Sequence, residues 1–206
     1  IKSGGIASFN KISEISVGES GLLTRLIIPL AAMLSAGGNG IAVTGHGSIL
    51  GRNLQESANA VEAAGAVCRT NNGHLPFCIS GGIKSREIAF SGKESSQIVS
   101  GFLMILPLLP EDSTLTVTNP ASLPYIGLTI RVLRKFGIEI VAEDALPEKI
   151  TYRIPGNQKY RATTLYLDSD WSSAANFAVA GALLEGVTLQ NMPLESSQAD
   201  EAVLKL

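Results

Sequence analysis

Three segments of the chain place hydroxyl, amide or acidic side chains directly ahead of an apolar stretch. They are residues 18–25 ahead of 26–34, 92–97 ahead of 98–109, and 168–173 ahead of 174–184. If each apolar stretch is a helix, the N–H groups of its first turn lack helical partners and, with the helix dipole, attract anions. Ser95-Ser96-Gln97 is the strongest candidate, because two hydroxyls and an amide can hold a phosphate or sugar-like hydroxyls. The alternative is that these serines only cap a helix.

Two arginines are the next candidates for binding an anion. Arg25 falls in the first turn of an otherwise apolar helix, where its charge needs an anionic partner. That partner is either a carboxylate of the chain, with Asp170 and Glu19 as candidates, or a ligand. Arg52 follows a glycine-rich turn, where its guanidinium could bind a carboxylate or phosphate through two hydrogen bonds. A solvated surface arginine is the alternative for Arg52.

The loop 119–125 lies between an expected strand and an expected helix, a position where α/β proteins often bind ligands. Ser122 and Tyr125 could both face such a site, or they could be an N-cap and a packed tyrosine. Asp170 could act as a base, but a carboxylate at that position also stabilises the start of its own helix.

These segments recur at a regular interval. Ser20, Ser95 and Ser172 stand 75 and 77 residues apart, which gives a repeat of about 76 residues. One strand is expected after each apolar stretch, at 41–45, 114–118 and 187–189. Two further strands are expected in the first repeat, at 66–69 and 76–80, and two in the second, at 138–142 and 149–154. A last helix is expected at 197–206. Between these strands lie amphipathic helices, each with a stripe of apolar residues on one face, and they end at Gly65 and Gly137.

The repeat therefore predicts an α/β fold of βαβαββ units. Its apolar helices are expected in the interior, and its sheets and amphipathic helices form an outer wall. Pro29 and Pro107 predict a kink or an early end in the apolar helices.

Composition excludes several classes of protein. Of 206 residues, 45% are hydrophobic and 17% charged, which argues against disorder, and no apolar run approaches the roughly 18 residues of a membrane span. A net charge of -2 and few aromatic residues argue against a nucleic-acid surface. Two cysteines, Cys68 and Cys78, are expected to be buried free thiols in a soluble, cytoplasmic protein. No metal-ligand motif is present, so neither metal nor cofactor is expected.

Taken together and in this order, the motifs resemble those of the 3-phosphoshikimate 1-carboxyvinyltransferases, also called 5-enolpyruvylshikimate-3-phosphate (EPSP) synthases. The matching segments are Ser95-Ser96-Gln97, Pro124-Tyr125-Ile126 with Thr129 and Phe136-Gly137, and Asp170-Trp171-Ser172-Ser173-Ala174-Ala175. The resemblance covers nearly the whole chain, and the Ser-Ser-Gln segment separates this family from the UDP-N-acetylglucosamine enolpyruvyl transferases.

The resemblance implies an inverse α/β barrel fold of two lobes, each with three βαβαββ units around buried parallel helices. Residues 1–168 then form the second and third units of the first lobe, and residues 169–206 begin the second lobe. The chain is interpreted as a central fragment of a protein that is monomeric at full length.

The resemblance also assigns binding roles to individual residues. It places shikimate 3-phosphate at Ser95, Ser96, Gln97, Ser122 and Tyr125. It places phosphoenolpyruvate at Gly21, Arg52 and Gln97, with Arg25 and Asp170 in supporting roles. The chain departs from the family where Glu19 and Leu22 stand in place of an amide and a hydroxyl residue, and where 48–51 lacks basic residues. Both departures are expected to weaken phosphoenolpyruvate binding.

The implied reaction is addition followed by elimination. A hydroxyl of shikimate 3-phosphate attacks C2 of phosphoenolpyruvate while C3 is protonated, and phosphate then leaves the tetrahedral ketal. The family's acid and base groups lie outside this stretch, so no catalytic residue is assigned and the chain alone is expected to be inactive. The alternatives are a UDP-N-acetylglucosamine enolpyruvyl transferase-like enzyme, a non-catalytic module that binds a phosphorylated metabolite, and an RNA 3'-terminal phosphate cyclase, which the charge disfavours.

Overall fold

The chain folds into two successive units with the same order of elements. The computed structural model describes residues 5–9, 12–184, 186–193, 196 and 198–205. The first unit contains β1 (Glu14–Ser16), α1 (Gly21–Leu34), β2 (Ile41–Thr44), α2 (Gln55–Ala63), β3 (Val67–Asn71) and β4 (His74–Ser80). The second contains β5 (Glu87–Ser91), α3 (Ser96–Ile105), β6 (Ser113–Thr118), α4 (Leu123–Lys135), β7 (Val141–Leu146) and β8 (Lys149–Ile154). The predicted βαβαββ repeat is confirmed.

Each unit forms a four-stranded sheet with the same topology. The strand orders are β1-β2-β4-β3 and β5-β6-β8-β7, and only the first pair in each sheet is parallel. In the central strands buried and half-exposed residues alternate, so that Ile41 and Val43 in β2 face the core, as do Leu115 and Val117 in β6. The strand predicted at 138–142 corresponds to β7, which begins three residues later than expected, at Val141.

Helices α1 and α3 pack against each other. Arg25 contacts Gln97 in the first turns, and four residues further along both helices Pro29 faces Gly101. The contacts advance in the same direction, so the two helices are parallel. An added Cβ on Gly101 would lie 3.0 Å from Pro29 Cγ and 3.1 Å from the Leu26 carbonyl oxygen, so glycine permits this close approach.

The two prolines in the apolar stretches have different outcomes. Helix α1 runs through Pro29 to Leu34, so of the two expected outcomes, a kink or an early end, the early end is wrong for Pro29. Helix α3 ends at Ile105, and a 3-10 turn over Leu106–Leu108 contains Pro107, as predicted.

The second helices of both units are amphipathic, as predicted. In α4, Ile126 and Leu133 are buried, whereas Arg131, Arg134 and Lys135 are exposed. Both helices end at a glycine with positive φ, +87° at Gly65 and +82° at Gly137, and the following residues donate back to the last turn. These caps turn the chain into β3 and towards β7.

The third apolar segment differs from the expectation. It forms α5 (Trp171–Leu183), but only Trp171 and Ala174 are buried, and Phe177 and Leu183 are largely exposed. Its packing partner is the 3-10 helix Ala199–Lys205, which lies within the helix expected at 197–206. Residues 197 and 206 themselves are outside the described residues. Residues 187–189 are not a strand. A helix without a sheet of its own to cover it keeps its apolar side chains at the surface.

The two cysteines lie on opposite faces of the first sheet. In the β3–β4 pair, Cys68 is opposite Ile79 on the buried face, and Cys78 is opposite Arg69 on the outer face. The prediction of a buried free thiol is confirmed for Cys68, whose pKa burial raises to about 12, and is wrong for Cys78, which is exposed. Because side chains alternate along a strand, two cross-strand pairs that follow each other in the sheet face opposite sides of it.

Candidate functional site

The candidate site lies where α1 and α3 begin. Ser20 caps α1 by accepting a hydrogen bond of 3.1 Å from the N–H of Leu23, and Ser95 caps α3 by accepting one of 3.1 Å from the N–H of Gln97. Arg25 Nη1 donates to Gln97 Oε1 at 3.4 Å and so joins the two first turns. The N-terminal ends of two parallel helices therefore lie side by side.

A cleft of about 420 Å³ runs from the start of α3 to the start of α4. All five residues proposed for shikimate 3-phosphate line it: Ser95, Ser96, Gln97, Ser122 and Tyr125. Its remaining lining is Leu22, Leu26, Glu94, Ser100, Met104, Ala121, Leu128 and Thr129. The structure thus gathers these side chains at one place, although they come from segments about 25 residues apart in sequence.

Gln97 has a fixed orientation in this cleft. Its amide oxygen accepts from Arg25, and the amide –NH₂ is therefore the group that can donate to a ligand oxygen. Next to it, Ser96 is buried and Ser95 accepts the N–H of Gln97, so the capping alternative is confirmed for Ser95. A capping serine retains its hydroxyl proton and can donate it to a ligand.

Ser122 stands at the N-cap position of α4 but does not cap the helix with its side chain. It adopts a left-handed conformation, with φ 52° and ψ 49°, and its side chain makes no capping hydrogen bond to α4. The N-cap alternative is therefore confirmed for the position of Ser122 and wrong for its hydroxyl. Its hydroxyl lines the cleft opposite the start of α3.

Tyr125 is 37% exposed and is not packed in the core. Its hydroxyl donates to Asp200 Oδ2, the same oxygen that accepts from Ser172 Oγ at 2.9 Å. The hydrogen bond to Asp200 is the main reason why the pKa of Tyr125 is raised. Through Asp200 the start of α5 is also linked to this cleft.

Gly21 lies against both candidate arginines. A Cβ placed on Gly21 would be 3.0 Å from Arg52 Nη1 and 3.3 Å from Arg25 Nη1. Two guanidinium groups therefore converge on the first residue of α1, and burial together with the charge of Arg52 lowers the pKa of Arg25. Like charges held this close favour an anion between them.

The two carboxylates considered as partners of Arg25 are engaged elsewhere. Arg25 donates to the Gly21 carbonyl at 3.3 Å and to Gln97, not to Glu19 or Asp170, so the alternative of pairing with one of these carboxylates is wrong. Glu19 Oε2 accepts the N–H of Ser48 at 2.7 Å. Asp170 caps α5, accepting from the Ser172 N–H at 2.9 Å and from the Ser173 hydroxyl, and these bonds lower its pKa. The charge of Asp170 thus stabilises its own helix.

Sequence reasoning missed three features of the cleft. Glu94 lines it beside Ser95, and desolvation and the charge of Glu56 raise the Glu94 pKa while Arg25 lowers it. Ser100 Oγ and Thr129 Oγ1 are 2.8 Å apart and join α3 to α4 beneath the cleft. Asp200 engages Tyr125 from 75 residues away. The position of Glu94 next to Ser95 could have revealed it, whereas no local pattern connects Asp200 with Tyr125.

Comparison with known proteins identifies the family. The family model described as EPSP synthase (3-phosphoshikimate 1-carboxyvinyltransferase) matches residues 1–206. The chain belongs to the EPSP synthase family. This is the first of the families considered from the sequence.

Relatives in this family are identical to the chain at about a third of the aligned residues. A 3-phosphoshikimate 1-carboxyvinyltransferase of Methanococcus maripaludis is 33% identical over 198 residues, 93% of this chain and 45% of the relative. One from Clostridium kluyveri is 34% identical over 192 residues, 91% of this chain and 43% of the relative. The chain thus spans less than half the length of these curated EPSP synthases.

Solved EPSP synthases share the fold. The structure of EPSP synthase from Acinetobacter baumannii superposes with a TM-score of 0.71 and 27% identity, over 94% of this chain and 41% of that one. The inverse α/β fold that the family resemblance implies is therefore confirmed. Within the described residues, no helix has both the length and the apolar character needed to cross a membrane.

Proposed function

We propose that the protein transfers the enolpyruvyl group of phosphoenolpyruvate to the 5-hydroxyl of shikimate 3-phosphate and releases phosphate. The observation that carries this proposal is the gathering of Ser95, Ser96, Gln97, Ser122 and Tyr125 around one cleft, beside the arginine pair at Gly21. In this proposal, residues 1–168 belong to the first lobe and residues 169–206 begin the second. The proposed protein is monomeric and cytoplasmic and acts on small molecules.

The cleft suits a phosphorylated, hydroxylated ring. Hydroxyls of Ser95, Ser96 and Ser122 can donate to phosphate oxygens, and the N-terminal end of α3 adds a positive electrostatic potential. The amide –NH₂ of Gln97 can donate to a ring hydroxyl or a phosphate. Tyr125 can join these donors when a phosphate oxygen replaces Asp200 as its acceptor.

Phosphoenolpyruvate is proposed to bind on the other side of Gln97. Arg52 and Arg25 converge on Gly21, and the absent side chain of glycine leaves room for an anion next to the first N–H groups of α1. A carboxylate or phosphate there can accept two hydrogen bonds from one guanidinium. Gln97 lies between the two subsites, because it lines the cleft and also contacts Arg25.

The contribution of this chain to the reaction is binding and charge neutralisation. It would hold the 5-hydroxyl near C2 of phosphoenolpyruvate and offset the negative charges that repel the two substrates. Three proton transfers are assigned to residues outside this chain: removal of the hydroxyl proton, protonation of C3 in the addition, and removal of a proton from C3 as phosphate leaves. The 206-residue chain alone is therefore expected to bind substrates weakly and to release no phosphate.

Phosphate release from the two substrates tests the proposal directly. The protein expressed from its complete reading frame is expected to release phosphate only when both substrates are present. Gln97→Ala should reduce kcat/KM by roughly 100-fold, because it removes contacts to both subsites. Gln55→Ala is the control, since Gln55 lies on α2 and hydrogen-bonds to Asn59 outside the cleft. Undiminished activity in Gln97→Ala, or no activity in the wild type, would overturn the proposal.

A further inference from the structure

Glu19 connects the loop before α1 to the turn that carries Arg52. Its Oε2 accepts the N–H of Ser48 at 2.7 Å, across 29 residues of sequence. Ser48 belongs to the 3-10 turn Gly47–Gly51, whose N-cap residue His46 makes no side-chain capping bond. Glu19 thus supplies the cap that this turn lacks locally.

The backbone of the turn is adapted to this carboxylate. Gly47 has a φ of +65°, and a Cβ at this position would overlap the carboxylate of Glu19. Hydrogen bonds to Ser48 are the main reason why the pKa of Glu19 is lowered, and the electrostatic interaction with His46 lowers it further. The carboxylate is therefore held by the turn, and among the described residues it forms no ion pair with either arginine.

Both ends of the Gly21 subsite depend on this loop. Ser20 caps α1 and so fixes Gly21, while Glu19 fixes the turn that ends at Arg52. The N–H of Arg52 donates to the Ile49 carbonyl at 3.1 Å, and the side chain of Ile49 is fully buried beneath the turn. A shift of the 47–51 backbone would consequently move the guanidinium of Arg52 away from Gly21.

We infer that Glu19 is a positioning residue, which orients Arg52 through the Ser48 hydrogen bond and thereby sets the affinity for phosphoenolpyruvate. The inference rests on the proposed function. It reverses the expectation from sequence, in which a carboxylate at position 19 weakens anion binding. The shikimate 3-phosphate cleft has no contact with Glu19, so its affinity does not depend on this bond.

The test compares three substitutions of Glu19 in the protein expressed from its complete reading frame. Glu19→Ala removes the acceptor, Glu19→Asp shortens its reach, and Glu19→Gln keeps an oxygen at the same distance. Glu14→Ala is the matched control, because Glu14 also bridges two chain segments, to Thr44 Oγ1 at 2.7 Å, but at the start of β1. KM for each substrate is measured by phosphate release, with thermal unfolding as a check of folding.

Glu19→Ala and Glu19→Asp are expected to raise KM for phosphoenolpyruvate by roughly tenfold, because Arg52 is misplaced, and to leave KM for shikimate 3-phosphate unchanged. Glu19→Gln should stay within about threefold of the wild type, since its amide oxygen also accepts. If Glu19→Ala does not fold, the comparison of KM for phosphoenolpyruvate between Glu19→Gln and Glu19→Asp still tests the inference. The inference is overturned if both KM values rise together, if neither changes, or if Gln is no better than Asp. A wild-type protein that releases no phosphate overturns the proposed function as well.

Discussion

The two arginines beside Gly21 carry the positive charge of the candidate site. Arg25 is half-buried and fixed by Gln97, so it contributes mainly a charge at the junction of α1 and α3. Arg52 reaches the same point from a loop and can present both of its terminal nitrogens to an anion. The two arginines therefore differ in role, and Arg52 is the one that we expect to contact the substrate.

Substitution of Arg52 should weaken phosphoenolpyruvate binding and leave shikimate 3-phosphate binding nearly unchanged. Arg52→Gln removes a charged hydrogen bond worth about 1.5–3 kcal/mol, which corresponds to a loss of affinity of roughly 10- to 100-fold. Arg52→Lys should recover only part of it, since lysine cannot form the paired contact. Calorimetric titration of each substrate measures this, with Arg69→Gln on the outer face of β3 as the control. An equal loss for both substrates would contradict the assignment.

The stabilising effect of Asp170 on α5 should depend on pH. Its hydrogen bonds to Ser173 and Ser172 lower its pKa, so it contributes stability above the ordinary pKa of aspartate, and that contribution disappears as the pH falls through the lowered value. Asp170→Ala should therefore lower Tm at about pH 6, and the difference from the wild type should shrink on acidification. Asp168→Ala, which removes a carboxylate two residues earlier, is the matched control. A Tm difference between Asp170→Ala and the wild type that grows as the pH falls would argue against a capping role of the Asp170 carboxylate.

At the scale of elements, the close packing of α1 against α3 positions the site. Gly101 allows the carbonyl groups of Arg25 and Leu26 to approach within 3.1 Å of the place a Cβ would occupy. A larger residue there would separate the helices and move Arg25 away from Gln97. The contact of the two helices thus determines the geometry of both subsites.

Gly101→Ala and Gly127→Ala form a matched pair of helix substitutions. Alanine is favoured over glycine in a helix by about 1 kcal/mol, and a Cβ on Gly127 in α4 would meet only Arg131 Nη1 at 3.6 Å. Gly127→Ala should thus leave the free energy of unfolding unchanged or raise it slightly. Gly101→Ala should lower it by about 1–2 kcal/mol, because overpacking exceeds the gain in helix propensity. Urea unfolding measures the free energy of unfolding of both variants. An equal effect of the two substitutions would show that α1 and α3 are not closely packed at Gly101.

The element order could be predicted from sequence because it depends on local patterns. Apolar stretches, amphipathic stripes and the capping glycines Gly65 and Gly137 recur with the repeat, and each produces the same element in both units. The exposure of α5 could not be predicted, because a uniformly apolar helix is buried only where other elements cover it. The same holds for the partners of Arg25 and Tyr125, which depend on contacts across about 70 residues or more.

At the scale of the whole molecule, the two units bring a hydroxyl-lined cleft and a pair of arginines to the same ends of two parallel helices. The repeat explains this arrangement, since equivalent helices in equivalent units begin at the same side of the fold. In the proposed function Gln97 couples the two subsites, because it lines the cleft and also contacts Arg25. The central claim is that shikimate 3-phosphate binds in the cleft between α3 and α4.

A crystal structure of the complete protein with shikimate 3-phosphate is the most direct test of this claim. We predict the phosphate within hydrogen-bond distance of Ser95, Ser96 and Ser122, the ring beside Gln97, and Tyr125 bound to the ligand in place of Asp200. A ligand bound elsewhere, with the Tyr125–Asp200 hydrogen bond intact and the cleft without substrate, would contradict the account.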